Sequence, residues 1–281
     1  MNAMTEITPA TTTSHFVETH LGRLHVAQAG TGEEVIVLWP SIFTDHHIYD
    51  DLVCQLGHSY RFMLVDGPAH GQSDGTSSEF TMQDCADALD VILDHFGIEQ
   101  AVVGGTSWGG IVAAHLALSH GSRVKKLILI NTPMEINREK PGLKARMIAA
   151  GARWMLKSAL FRNGVADSFF TPSVFAANAR LSESFHSMLK AANPKSLAAA
   201  IRSVILRGSP LIERLPEISV PTLVIAGKED SMYPISVQAN AALLLEKGKF
   251  VAVDGKHISV VEQPEATAQA ITDFLKHGVS Q

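Results

Sequence analysis

Short apolar runs punctuate the first half and the end of the chain: Val35–Trp39, Phe62–Val65, Ala101–Val103, Leu127–Ile130, Leu223–Ala226 and Phe250–Val253. They are apolar at every position rather than every second one, which predicts strands covered on both faces, as in a parallel sheet. Between them the period changes. From Thr81, the residues Met82, Cys85, Ala86, Leu89, Ile92, Leu93 and Phe96 recur at spacings of three and four and trace one face of a helix. Thr81 suits its N-cap and Gly97 its C-terminal stop. Further helices are predicted after Ser107, from Ile111 to Leu118, and over Ile235–Leu245 and Pro264–Lys276. His15–Ala29 reads as an opening hairpin around Leu21-Gly22-Arg23. Strand alternating with helix predicts an α/β fold built on a mostly parallel, doubly wound sheet.

One stretch breaks this rhythm. Residues 133–212 are helical in pattern throughout, far longer than an ordinary crossover, and predict a helical lid inserted into a core made of 15–132 and 213–281. That stretch holds 12 Lys/Arg against 4 Asp/Glu, whereas the remainder holds 11 against 24. The chain as a whole, at −5, has no basic surplus that would point to nucleic acid. With 281 residues, 46% of them hydrophobic, it can bury one large core. Residues 1–14 have neither a basic start nor an apolar stretch, and read as a flexible tail rather than a secretory signal. No apolar run approaches the roughly 18 residues of a membrane span. Two cysteines, Cys54 and Cys85, fit a reduced compartment, and the expectation is a cytoplasmic protein acting on a small molecule.

Gly105-Thr106-Ser107-Trp108-Gly109 lies where a predicted strand meets a predicted helix. A serine hydroxyl is a weak nucleophile and must be exposed, aligned and deprotonated as it attacks. A sharp strand-to-helix turn projects it, and small residues two before and two after relieve the crowding. The helix N-terminus then aims unsatisfied N–H groups at developing negative charge. A base is expected after the last strand, and His257 is the one of thirteen histidines in that place. An orienting acid is expected after the preceding strand, where Glu229 and Asp230 both stand; the spacing from Gly227 favours Asp230. Two backbone amides should hold an oxyanion. Trp108 supplies one, and the loop Pro40-Ser41-Ile42-Phe43 the other: Pro40 has no N–H, so Ile42 is first choice and Ser41 second. His46 and His47 read as solvated helix-start residues, His70 as a structural member of a turn-rich loop, and His115 as a packed residue on the helix after Ser107. No spacing of His, Cys and Asp predicts a metal, and no cofactor is expected.

Taken together, Gly105-Thr106-Ser107-Trp108-Gly109-Gly110, Asp66…His70-Gly71-Gln72-Ser73, Gly227-Lys228-Glu229-Asp230 and His257…Gln263-Pro264 resemble the α/β-hydrolase superfamily over residues 15–132 and 214–277. Within it, Pro40-Ser41-Ile42-Phe43-Thr44-Asp45, Asn131-Thr132-Pro133, Phe170-Thr171 and His257-Ile258-Ser259 are similar to the 3-oxoadipate enol-lactonase branch. Two positions depart from the pattern. Pro40-Ser41 stands where relatives carry His-Gly or Asn-Ser, and Trp108 stands where Met or Leu is common; a ring there would reshape the acyl pocket. The resemblance implies a serine hydrolase of esters or lactones, with carbon–carbon bond hydrolysis, acyl transfer and ligand sensing as alternatives on the same fold. A basic lid facing the cleft would favour an anionic substrate, with Arg153, Arg180, Arg202 and Arg207 as its contacts.

Overall fold

The computed structural model describes residues 12–76, 78–134, 143–207 and 211–278. The chain opens with strands β1 (Thr13–Thr19), β2 (Gly22–Ala29) and β3 (Glu34–Trp39). Helix α1 (Asp50–Leu56) and strand β4 (Tyr60–Val65) follow, then α2 (Met82–His95), β5 (Ala101–Thr106), α3 (Trp108–Ser119) and β6 (Val124–Ile130). Five helices come next: α4 (Leu143–Trp154), α5 (Ala159–Phe169), α6 (Pro172–Ala177), α7 (Ala179–Ala191) and α8 (Pro194–Ile201). The last continues into a wider turn at Arg202–Leu206. The chain closes with β7 (Thr222–Gly227), α9 (Ile235–Leu243), β8 (Gly248–Val253), α10 (Ser259–Glu262) and α11 (Pro264–His277).

The eight strands form one sheet in the order β1-β2-β4-β3-β5-β6-β7-β8, antiparallel at β1–β2–β4 and parallel from β4 onward. The apolar runs explain why. Every residue of β5 and β7 is buried, so both faces must be covered by helices. Each large aliphatic side chain removed from water there contributes roughly 1.5–3 kcal/mol. Helix α3 fills the centre of one face and is buried from Trp108 to Ala117. A helix apolar on all sides belongs inside a domain. Helix α2 is two-faced, and Thr81 and Asp84 close its first turn with a reciprocal capping box.

Strand order reverses at β3, which lies between β4 and β5. In open α/β sheets the crevice beyond the carboxyl ends of the strands at such a reversal is where ligands bind. Chain segments leaving β3, β5, β6, β7 and β8 all emerge at that edge. The hairpin starts at Thr13, so Thr13 and Ser14, read from sequence as tail, belong to β1; residues 1–11 lie outside the described residues. Between β6 and β7 the described residues hold helices and no strand, while 135–142 and 208–210 of the expected lid lie outside them. Both cysteines are free.

Candidate active site

Ser107 sits between β5 and α3 with φ 55° and ψ −110°, a conformation that costs an L-residue energy and persists only where the surroundings impose it. The imposing contacts are visible at the two flanking glycines. A Cβ on Gly105 would meet the Trp39 carbonyl oxygen at 2.4 Å, and one on Gly109 would meet the same atom at 1.7 Å. The end of β3 therefore presses directly on the turn, and only glycine fits on either side.

His257 follows β8 after three loop residues, and its Nε2 lies 2.8 Å from Ser107 Oγ. Its Nδ1 lies 2.8 Å from Asp230 Oδ2. A carboxylate only accepts, so Nδ1 carries the proton and Nε2 presents its lone pair to the serine hydroxyl. The ring is buried between Phe169 and Tyr233, each with its centroid 5.3 Å away. Burial alone would raise the Asp230 pKa, but hydrogen bonds from His257, Asn131 and the Tyr233 amide outweigh it, and the carboxyl is held below its usual range. Glu229 is used differently: it accepts the Gly255 amide at 2.8 Å and so shapes the loop leading to His257.

Of the two expected oxyanion donors, Trp108 is the first residue of α3, where an amide has no partner within the helix. Ile42 lines the same cavity as Ser107, Trp108 and His257, whereas Ser41 is fully buried and is not among the described lining residues. The Trp108 ring does not project freely beside Ser107. It is fully buried at the cavity floor, edge-on to Trp39 at 5.4 Å and stacked on Phe80 at 6.0 Å.

Asn131 and Glu262 hold this site without having been legible as such, and His70 holds it from the turn-rich loop where a structural role was expected. Asn131, at the end of β6 with φ 46°, donates to Asp230 Oδ2 at 3.0 Å and accepts the Ser259 hydroxyl at 2.5 Å. His70 accepts the Phe43 amide on Nε2 at 3.0 Å and donates from Nδ1 to the Pro68 carbonyl at 2.9 Å, fixing the loop that carries Ile42. Burial pushes its pKa down to about 4, so the ring is neutral at neutral pH and can accept. Glu262 accepts the Lys256 amide at 2.9 Å together with the amide and hydroxyl of Thr171, tying the end of α5 to the histidine loop. The run Asn131-Thr132-Pro133 and the pair Phe170-Thr171 were the sequence signals available for two of these.

The expectation for His46 is corrected. It is buried, and its Nδ1 lies 2.9 Å from Asp66 Oδ1, while His25 Nδ1 meets the other oxygen at 2.9 Å. His47 alone is exposed. The Asp66 carboxylate, although buried, is held far below the usual range by these two imidazoles and the Gln72 amide. The ligating atoms of His25, His46 and Asp66 lie within 4.8 Å of one another, as a metal site would need. Here they are partnered to each other, and the cluster fastens β2 to the loops at 46 and 66–73.

The four arginines expected at the cleft are also not where the charge pattern would put them. Arg180 pairs with Asp50, and Arg202 and Arg207 both pair with Glu79. Arg153 lies 4.4 Å over the Trp154 ring. None of the four is among the described residues lining the cavity over Ser107.

A family model described as alpha/beta hydrolase fold matches residues 34–264. The chain belongs to this family. As an α/β hydrolase it is 30% identical over 248 residues to 3-oxoadipate enol-lactonase 1 of Acinetobacter baylyi, covering 86% of this chain and 88% of that protein. It is 26% identical over 252 residues to pimeloyl-[acyl-carrier protein] methyl ester esterase of Yersinia enterocolitica, covering 88% and 95%. The crystal structure of an enol-lactonase from Burkholderia xenovorans superposes with a TM-score of 0.85 at 24% identity, over 94% of this chain and all of that one.

Proposed function

We propose that the protein is a serine hydrolase that cleaves a carboxylic ester or lactone through an acyl-enzyme on Ser107. The observation that carries this reading is the continuous line Asp230–His257–Ser107, with both contacts at 2.8 Å, ending on a serine held at φ 55°. His257 Nε2 takes the hydroxyl proton as Oγ attacks the carbonyl carbon. The resulting oxyanion is received by the Trp108 and Ile42 amides, and the imidazolium is stabilised by Asp230. When the carbon–oxygen bond breaks, His257 returns the proton to the departing alkoxide. A water molecule, deprotonated by the same nitrogen, then attacks the acyl-enzyme; His257 passes the proton to Ser107 Oγ as the acyl–oxygen bond breaks, and the acid is released.

Helices α4 to α8, within residues 133–212, serve as the lid over this site. Both named relatives support an ester-type substrate, since one is called a lactonase and the other a methyl ester esterase. A fluorophosphonate probe tests the proposal. Intact-mass and peptide mass spectrometry should show one adduct, on Ser107, absent from Ser107→Ala. An adduct elsewhere, or none on folded protein, removes the nucleophile from this reading.

A further inference from the structure

The cavity over Ser107 encloses about 1160 Å³, at or above the upper end of what small-molecule sites usually offer. Its walls are built from Phe43, Ile111, Met147, Phe161, Val165 and Val204, among others. Among the described residues that line it there is no Lys, Arg, Asp or Glu; its polar members are Ser107, His257, Tyr233, Ser168 and Ser231. Four arginines of this stretch are engaged elsewhere: Arg180 with Asp50, Arg202 and Arg207 with Glu79, and Arg153 with the Trp154 ring. A substrate carboxylate inside would thus lose its hydration without gaining a cationic partner among the described lining residues.

Toward solvent the same wall continues into Leu143, Met147, Trp154, Met155 and Leu160, which also line the cavity. They are 75%, 64%, 77%, 47% and 77% exposed. Exposed apolar side chains scattered singly need no explanation, but five gathered on α4, α5 and their connection, at the mouth of one cavity, form a patch. A hydrocarbon chain reaching Ser107 would have apolar contact along its whole route. Methionines at 147, 155 and 232 add side chains that adapt to irregular shapes.

Resting on the hydrolase reading above, we infer that the substrate is an uncharged ester with an extended hydrocarbon portion, bound against α4 and α5, rather than a carboxylate-bearing lactone. The test compares kcat/KM for p-nitrophenyl acetate, butyrate and octanoate with that for the mono-p-nitrophenyl ester of the eight-carbon diacid. Each added methylene should raise kcat/KM about four-fold until the wall is filled. The terminal carboxylate should lower it at least roughly 100-fold below octanoate. In Met147→Arg, and at the more exposed Leu160→Arg, that preference should move at least about ten-fold toward the carboxylate ester. A flat chain-length series, a carboxylate ester equal to octanoate, or an unmoved ratio in both variants overturns the inference. Failure of the hydrolase reading itself looks different: Ser107 is then not labelled by the fluorophosphonate, and none of the four esters is cleaved.

Discussion

Asn131 offers the sharpest test of how Asp230 is held. Replacing it with glycine removes the 3.0 Å bond to Asp230 and leaves the fully buried Ser259 hydroxyl without its acceptor. A hydrogen bond to a charged group contributes about 1.5–3 kcal/mol, and an orphaned buried hydroxyl costs about 1–3 kcal/mol. The variant should therefore be less stable by roughly 3–5 kcal/mol, with Tm lower by about 6–15 °C for a chain of this size. Asn131→Ala should lose about 1 kcal/mol more, because alanine tolerates φ 46° less well than asparagine or glycine. Activity should separate from stability. Both variants remove the same donor from Asp230 Oδ2, the oxygen that also meets His257, so both should lower kcat about 10–100-fold, as expected when His257 loses its alignment. Because Asp230 has a depressed pKa in the folded protein, its share of stability is present above the unfolded carboxylate pKa and is lost as pH falls through the folded value. The part of the deficit owed to the Asp230 bond should accordingly be largest at neutral pH and shrink in acid. Thermal unfolding at several pH values and kcat on p-nitrophenyl butyrate measure both quantities. Wild-type kcat in Asn131→Gly would refute the positioning role.

Ser107→Ala and His257→Ala should each lower kcat by roughly 10⁴ to 10⁶, with Asp230→Asn somewhat less costly. Glu229→Gln should cost little beyond the Gly255 contact; a larger loss than Asp230→Asn, in parallel kinetic assays, would exchange the two roles. His70 is neutral in the folded protein with its pKa pushed down to about 4, so unfolded chains bind its proton more readily. Stability should be complete above the unfolded histidine pKa of about 6.5 and fall by roughly 3 kcal/mol as pH drops toward 4. His70→Gln should flatten this dependence in thermal melts, and an unchanged slope would remove His70 as its source. Gly109→Ala should fail to fold normally, since its Cβ would stand 1.7 Å from the Trp39 oxygen; a soluble variant with a native melt would contradict that contact.

The six internal runs read from sequence all lie within observed strands. In β3 to β7 the reason is that a strand covered on both faces must be apolar at nearly every position, whereas β8, at the sheet edge, is only half-buried. The helix capped by Thr81 was legible for the same kind of reason: its face and its cap are local. Ser107, Asp230 and His257 could be named because each follows a strand at the same edge of the sheet. What could not be read is whatever depends on pairing across long separations. His25 and Asp66 are 41 residues apart, and nothing near His46 in sequence reveals that it turns inward to the same carboxylate. Asn131 reaches Asp230 across 99 residues. The basic surplus of residues 133–212 was visible, but charge composition does not record direction. Glu79 and Asp50, which take up three of those arginines, lie outside the stretch that was counted.

The contact of Gly105 and Gly109 with the Trp39 carbonyl has a bearing on how this protein could change over time. The spacing between the reactive hydroxyl and the loop that starts at Pro40 is gauged by main chain against main chain, with no side chain interposed. Helices α4 and α5 add walls to the cavity without entering that gauge. Mutational drift there can alter what is accommodated while the reacting atoms keep their separation, so selection for new substrates should accumulate changes between 143 and 206 and leave 39–42 and 105–109 untouched.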